Sequence, residues 1–198
     1  MKYRPEVDGL RTLAVLPVIL FHAGFESFSG GYVGVDVFFV ISGYLITTIL
    51  HSEIRDGRFS IVRFYERRAR RIPPALFFVC AVTAAFCWAW MTPAHFRDFA
   101  QSLVAVNLFS SNILFWLQSG YFDGASELKP LLHTWSLAVE EQFYLIFPLL
   151  LLALRRARPR TLFATLAALG LLSLAVAELR IGPAPSEAFY LLHTRAWE

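Results

Sequence analysis

Long apolar runs alternate with short polar or basic stretches along this chain. Because an α-helix needs about 20 predominantly apolar residues to cross the core of a bilayer, the pattern predicts an all-α fold, a polytopic transmembrane helix bundle. A further apolar stretch begins at Phe189, and the chain ends within it. We therefore expect residues 1–198 to be the N-terminal part of a larger membrane domain, truncated within that stretch. The five runs that approach spanning length are residues 10–25, 33–50, 75–91, 133–154 and 161–177.

Another apolar stretch, residues 99–117, is interrupted by polar side chains such as Asn107 and Asn112. Arginines are concentrated in residues 51–72 and 155–160, and the positive-inside rule places both stretches in the cytoplasm. Three apolar stretches lie between them, and three full crossings would put the second basic stretch outside. We expect 99–117 to be a re-entrant or interfacial element, because polar backbone at membrane depth needs protein or water around it. The same reasoning places the N-terminus in the cytoplasm.

Composition indicates an integral membrane protein. Hydrophobic residues make up 57% of the chain, charged residues only 17%, and the mean hydropathy is +0.53, whereas soluble domains are about one quarter charged. The arginines lie between apolar segments, so we expect the lipid bilayer and not nucleic acid as a partner. Cys80 and Cys87 lie about two turns apart on one apolar helix, too far for a disulfide. No metal-binding spacing is present, and we expect the first apolar segment to be retained rather than cleaved.

Two ionisable residues belong to the first apolar segment. Arg11 and His22 are eleven positions apart, so a helix places them on one face, about 16 Å apart along its axis. Pro17 lies between them and predicts a kink. Ionisable residues inside a membrane are costly and favour a function, and a neutral imidazole can take a proton from a hydroxyl. His22 is therefore a candidate base, although it could serve packing alone, and Arg11 could snorkel to the interface.

The segment 64–73 holds the densest group of arginines. A helix here would pair Arg67 with Arg70 and Arg68 with Arg71, one turn apart in each case. Guanidinium groups bind phosphate in a bidentate manner, which suits a phosphorylated cytoplasmic donor. The alternative is a positive anchor at the membrane surface.

Adjacent carboxylates lie in the apolar run 133–154. By helical spacing Glu140 shares a face with Tyr144, whereas Glu141 points about 100° away. Buried carboxylates can orient a histidine, pair with an arginine or relay protons; a purely structural ion pair is the alternative. Asp36, near the start of the second apolar run, is a weaker candidate for the same roles because the headgroup region could hold it.

Four motifs together resemble the bacterial acyltransferase-3 family, with O-antigen and peptidoglycan O-acetyltransferases as the most similar type. The motifs occur in the order of the family and extend over the whole chain. They are Arg11 and His22 separated by ten residues, the run GVDVFFVISGY from Gly34 to Tyr44, the run from Arg67 to Pro73, and the run HTWSLAVEEQFY from His133 to Tyr144.

This resemblance implies a multi-pass enzyme of the bacterial inner membrane that moves an acyl group, typically acetyl, from cytoplasmic acetyl-CoA to a hydroxyl of an envelope glycan such as O-antigen lipopolysaccharide or peptidoglycan. It makes Arg11 and His22 an essential pair and puts Arg68 and Arg71 on the cytoplasmic loop. No covalently bound cofactor is expected. The alternatives are one half of a proton-linked transporter or flippase, and an inactive fragment. The arginine cluster distinguishes these alternatives, because an acyl-CoA enzyme should bind CoA through it, whereas a transporter needs no such site.

Overall fold

The computed structural model describes residues 5–120 and 128–198. Within them the chain forms ten α-helices and no β-strand, which confirms the predicted all-α class. Two short 3₁₀ helices, Glu26–Phe28 and Gly31–Val33, connect the first two α-helices. The α-helices are α1 Pro5–His22, α2 Gly34–Arg55, α3 Ile61–Arg71, α4 Pro73–Trp90, α5 Pro93–Asn107, α6 Ser111–Gln118, α7 Thr134–Ala153, α8 Pro159–Ile181, α9 Pro185–Tyr190 and α10 Leu192–Arg195.

In the part of the chain that the structure describes, four helical segments are long and apolar enough to cross a membrane: Gly31–Arg55, Ile61–Trp90, Thr134–Ala153 and Pro159–Ile181. They match four of the five predicted apolar runs of spanning length. The fifth, residues 10–25, differs because α1 begins at Pro5 and therefore includes two acidic residues as well as Arg11. By length and composition α1 is not one of the four spanning segments.

The stretch 99–117 does not form one long helix. It contains most of α5 and nearly all of α6, which are 15 and 8 residues long and are separated at 108–110. Neither helix reaches spanning length, so the expectation that this stretch makes no simple crossing is confirmed. Its depth in the bilayer stays a prediction. The parity argument that makes 99–117 re-entrant also predicts that 119–132 lies on the outer face; residues 121–127 of that segment lie outside the described residues.

The chain divides into two compact units. The first comprises residues 1–59 with 151–159 and residue 198; the second comprises 60–150 with 160–197. In the first unit α1 packs along α2, and Ala14 of α1 is buried. The buried residues Phe39, Ser42, Ile46 and Leu50 recur every three or four positions along α2, as expected for one face of a helix.

The second unit has its own apolar core. Leu76, Cys80 and Cys87 of α4 are buried with Phe99 and Val106 of α5. Both cysteines are free thiols, as predicted. Helix α3 begins at the cap residue Ser60, whose side chain accepts a hydrogen bond from the Arg63 backbone, and α4 begins at Pro73, where a missing N–H costs little. These two signals set the break between the arginine-rich helix and the apolar helix.

Candidate active site

His22 is the last residue of α1, and a glycine ends the helix just beyond it. Gly24 has a φ of +82°, in the left-handed region that glycine adopts without strain. The N–H of Gly24 donates to the carbonyl of Phe21 at 3.0 Å, and the N–H of Phe25 donates to that of Leu20 at 3.1 Å. This pair of bonds is a Schellman motif. The motif ends α1 at His22, so the imidazole belongs to the last residue of the helix.

The imidazole of His22 is held by the backbone of its own helix. Its Nδ1 atom donates a hydrogen bond to the carbonyl oxygen of Val18 at 2.7 Å. Because a carbonyl only accepts, the proton of the neutral ring lies on Nδ1 and the lone pair lies on Nε2. The ring is exposed and touches the Phe21 ring edge to face at 5.1 Å between centroids. The Phe21 ring in turn lies 5.8 Å from that of Tyr32.

Arg11 lies on the same uninterrupted helix as His22, which runs through Pro17. The guanidinium carbon of Arg11 lies 5.0 Å from the centroid of the Phe38 ring on α2, within the range of a cation–π contact. Asp36 is half-buried in the first turn of α2. The first unit thus contains three of the predicted site residues, Arg11, His22 and Asp36.

Two glycines bring α1 and the start of α2 into backbone contact. A Cβ atom on Gly34 would lie 2.0 Å from the carbonyl oxygen of Ala14 and 2.8 Å from Cγ2 of Val18. A Cβ atom on Gly31 would lie 2.2 Å from the carbonyl oxygen of Pro17. Real Cβ contacts are not this short, so only glycine fits at either position. The close contacts of Gly31 and Gly34 with residues 14–18 therefore position α1, the helix that carries Arg11 and His22.

The arginines of α3 do not share one environment. Arg67, Arg70 and Arg71 are exposed, whereas Arg68 is half-buried. Arg70 forms an ion pair with Glu66 one turn earlier, at 2.6 Å; such an exposed pair contributes little to stability. The guanidinium of Arg68 lies 3.9 Å above the centroid of the Tyr144 ring on α7.

The carboxylates of α7 lie beside this arginine. The hydroxyl of Tyr144 donates to Oε1 of Glu140 at 2.5 Å, which confirms the shared face predicted from the spacing. Oε1 of Glu141 is buried and has no hydrogen-bond partner among the described residues. The second unit thus brings Arg68, Glu140, Glu141 and Tyr144 together. Catalytic roles for Asp36, Glu140 and Glu141 stay predictions.

A hydrogen-bonded amide pair, the buried Asn112 and the half-buried Gln142, also belongs to this unit and was not anticipated from the sequence. Nε2 of Gln142 donates to Oδ1 of Asn112 at 2.8 Å, and Nδ2 of Asn112 donates to the carbonyl oxygen of Tyr190 at 3.0 Å. Gln142 also donates to the carbonyl oxygen of Phe109 at 2.9 Å. These bonds join α6, α7 and α9. The signal in the sequence was two amide residues in otherwise apolar runs, where buried polar groups need partners.

No set of side chains suited to a metal ion occurs in residues 5–120 and 128–198: no three His, Cys, Asp or Glu residues lie close enough together to hold one. The described residues offer an exposed imidazole at His22, cationic groups on α3 and carboxylates on α7.

The chain matches the acyltransferase domain over residues 4–195. It therefore belongs to the acyltransferase-3 family, and the resemblance seen in its motifs is confirmed. It is 39% identical over 175 residues to the O-acetyltransferase OatA of Staphylococcus aureus, an alignment that covers 87% of this chain and 29% of OatA. It is 37% identical over 203 residues to the peptidoglycan O-acetyltransferase OatA of Listeria monocytogenes, which covers 100% of this chain and 32% of that protein.

The chain thus spans about a third of the length of these two relatives, at 29% and 32%. No solved structure matches it.

Proposed function

We propose that this protein is an O-acyltransferase of the bacterial inner membrane. It moves an acyl group, acetyl in the simplest case, from cytoplasmic acyl-CoA to a hydroxyl of an envelope glycan. Membership of the acyltransferase-3 family and the identity to two O-acetyltransferases support the reaction class. The Listeria relative is a peptidoglycan O-acetyltransferase, so peptidoglycan is the first acceptor to test, and O-antigen is the second. The proposal includes a cytoplasmic N-terminus, which by the positive-inside argument requires that α1 cross the membrane together with α2.

The observation that carries this proposal is the hydrogen bond from Nδ1 of His22 to the carbonyl oxygen of Val18, at 2.7 Å. A general base needs an accessible lone pair and a fixed ring orientation. The backbone bond supplies both, because it leaves the lone pair on Nε2 and ties the ring to the helix. A carbonyl of α1 thus performs the orienting role that the sequence suggested for a carboxylate such as Asp36 or Glu140.

The reaction proceeds as an acyl substitution at the thioester. Nε2 of His22 takes the proton of the acceptor hydroxyl while the oxygen attacks the carbonyl carbon of the acyl-CoA. A C–O bond forms, the C–S bond breaks, and the departing sulfur receives the proton from the imidazolium to give CoA thiol. A two-step route through an acyl-histidine balances equally well. The arginines from Arg67 to Arg71 hold the phosphates of the acyl donor.

The test is acetyl transfer from radiolabelled acetyl-CoA to glycan in inverted membrane vesicles that contain the full-length gene product. The variant is His22→Ala and its matched control is His51→Ala, which removes an exposed histidine near the end of α2. Loss of a general base costs about 10²- to 10⁴-fold in rate. We expect that loss for His22→Ala and close to wild-type transfer for His51→Ala, with both proteins inserted in the membrane.

Two results would contradict the proposal. Retained transfer in the His22→Ala protein would remove His22 from the chemistry. An absence of label in peptidoglycan and in O-antigen with the wild-type protein, despite membrane insertion, would remove the acyltransferase function and favour a transporter.

A further inference from the structure

Helix α3 has two different sides. Phe64 is 2% exposed, and Arg68, one turn later, is half-buried. Arg67, Arg70 and Arg71 are exposed, and we call them the outer arginines. Residues four apart lie on one face of a helix, so Phe64 and Arg68 share a face, which we call the inner side.

The inner side of α3 is attached to α7 by two contacts. The hydroxyl of Tyr65 donates a hydrogen bond to the carbonyl oxygen of Leu145 at 3.0 Å. The guanidinium of Arg68 lies 3.9 Å from the centroid of the Tyr144 ring and 5.7 Å from that of Phe64. The guanidinium thus lies close to two aromatic rings. An arginine stacks well on aromatic faces because its charged group is planar and weakly hydrated.

Binding of a phosphate by Arg68 would break this stacking. If Arg68 turned outward to bind a phosphate, it would leave the Tyr144 ring.

We propose that Arg68 is a positioning residue that fixes α3 against α7, and that the outer arginines Arg67, Arg70 and Arg71 are the ones that meet the phosphates of the acyl donor. This inference rests on the proposed function for its phosphate part. It divides the four arginines into one structural cation and three binding cations, although the sequence presents them as two equivalent pairs.

The test compares two acyl donors in the vesicle assay: acetyl-CoA, and S-acetylpantetheine, which lacks the nucleotide and its phosphates. The variants are Arg68→Gln, Arg68→Lys and Arg71→Gln. Arg63→Gln is the matched control, because Arg63 is an exposed arginine on the same helix that lies outside the group from Arg67 to Arg71. The quantity of interest is the ratio of kcat/KM for acetyl-CoA to kcat/KM for S-acetylpantetheine.

We expect Arg71→Gln to lower this ratio about tenfold or more, the usual effect of losing a charge-assisted hydrogen bond. Arg68→Gln should lower kcat/KM for both donors by the same factor and leave the ratio unchanged. Arg68→Lys should not restore activity, because lysine keeps the charge but not the planar stacking group. Arg63→Gln should leave kcat/KM unchanged for both donors. A selective loss of acetyl-CoA activity in Arg68→Gln, or rescue by lysine, would overturn the proposal.

A second test measures the unfolding temperature in detergent and does not depend on an activity assay. Arg68→Gln and Tyr144→Leu should each lower it, and the double variant should fall by less than the sum, because the two residues share one contact. Arg71→Gln should leave it unchanged. Additive effects would refute the attachment of α3 to α7. Wild-type vesicles that transfer no acetyl group would refute the proposed function and the phosphate role, but not this attachment.

Discussion

Gly34→Ala is the sharpest test of how the helix that carries His22 is held in place. Gly34 is the first residue of α2 and has helical backbone angles, with φ −58° and ψ −24°. Alanine is compatible with these angles and is favoured over glycine by about 1 kcal/mol in a helix interior. On backbone grounds alone the substitution should be neutral or stabilising.

The space around Gly34 reverses that expectation. The added Cβ would lie 2.0 Å from the carbonyl oxygen of Ala14, and real Cβ atoms essentially never come closer than 3.0 Å to another heavy atom. The difference requires a separation of about 1 Å between α1 and α2. The obstructing atom belongs to the backbone, so it cannot move without the helix. Overpacking of this kind costs about 1–3 kcal/mol.

The displacement of α1 should also change the position of His22. The same Cβ would lie 2.8 Å from Cγ2 of Val18, the residue whose carbonyl holds His22. A 1 Å misplacement of a catalytic group can cost about 10²-fold in rate. We therefore expect Gly34→Ala to lower the unfolding temperature in detergent by about 2–12 °C and the rate of acetyl transfer by about 10²-fold.

Gly30→Ala is the matched control. Gly30 lies four residues earlier, has a φ of −86° and has no heavy atom within 4 Å of its ideal Cβ position. The Gly30→Ala variant should have wild-type stability and a wild-type rate of acetyl transfer. The reasoning fails if Gly34→Ala is as stable and as active as the control, because α1 would then not depend on this contact. Equal losses in both variants would also refute it, since space would not be the cause.

Further predictions concern the second unit. Asn112→Ala should destabilise the protein by about 1–3 kcal/mol, because it leaves the half-buried amide of Gln142 short of a partner; thermal unfolding in detergent measures this. Asn107→Ala, at an exposed amide, is the control and should cost far less; similar losses would contradict the buried pair. Cys80 and Cys87, which are 4% and 5% exposed, should not react with a maleimide until the protein is denatured, and mass spectrometry of the labelled protein would reveal the opposite.

Several parts of the site followed from residue spacing. The bond between Tyr144 and Glu140 was expected because residues four apart on a helix are neighbours. The different environments of the arginines on α3 were not expected, because residue spacing alone cannot tell which side of α3 packs against α7. Only the packing of Phe64 and the ring of Tyr144 distinguishes Arg68 from its neighbours.

The sequence by itself determined the helical class and four helices long and apolar enough to cross a membrane. Long apolar runs can satisfy their backbone groups in a bilayer only as helices. This is a local effect, so it needed no knowledge of the rest of the chain. The end of the first segment was predicted at residue 25, whereas α1 ends at His22, because Gly24 adopts the left-handed conformation that glycine tolerates.

Only the tertiary structure decided where α5 ends. Its last turn has the same Schellman bonds, from Phe109 to Val106 at 3.1 Å and from Ser110 to Ala105 at 2.8 Å. The residue in the left-handed conformation is Phe109, with a φ of +49°, where a side chain costs about 1–2 kcal/mol. Gln142 of α7 offsets that cost by donating to the Phe109 carbonyl at 2.9 Å. A partner 33 residues away sets this break, which is why local sequence could not place it.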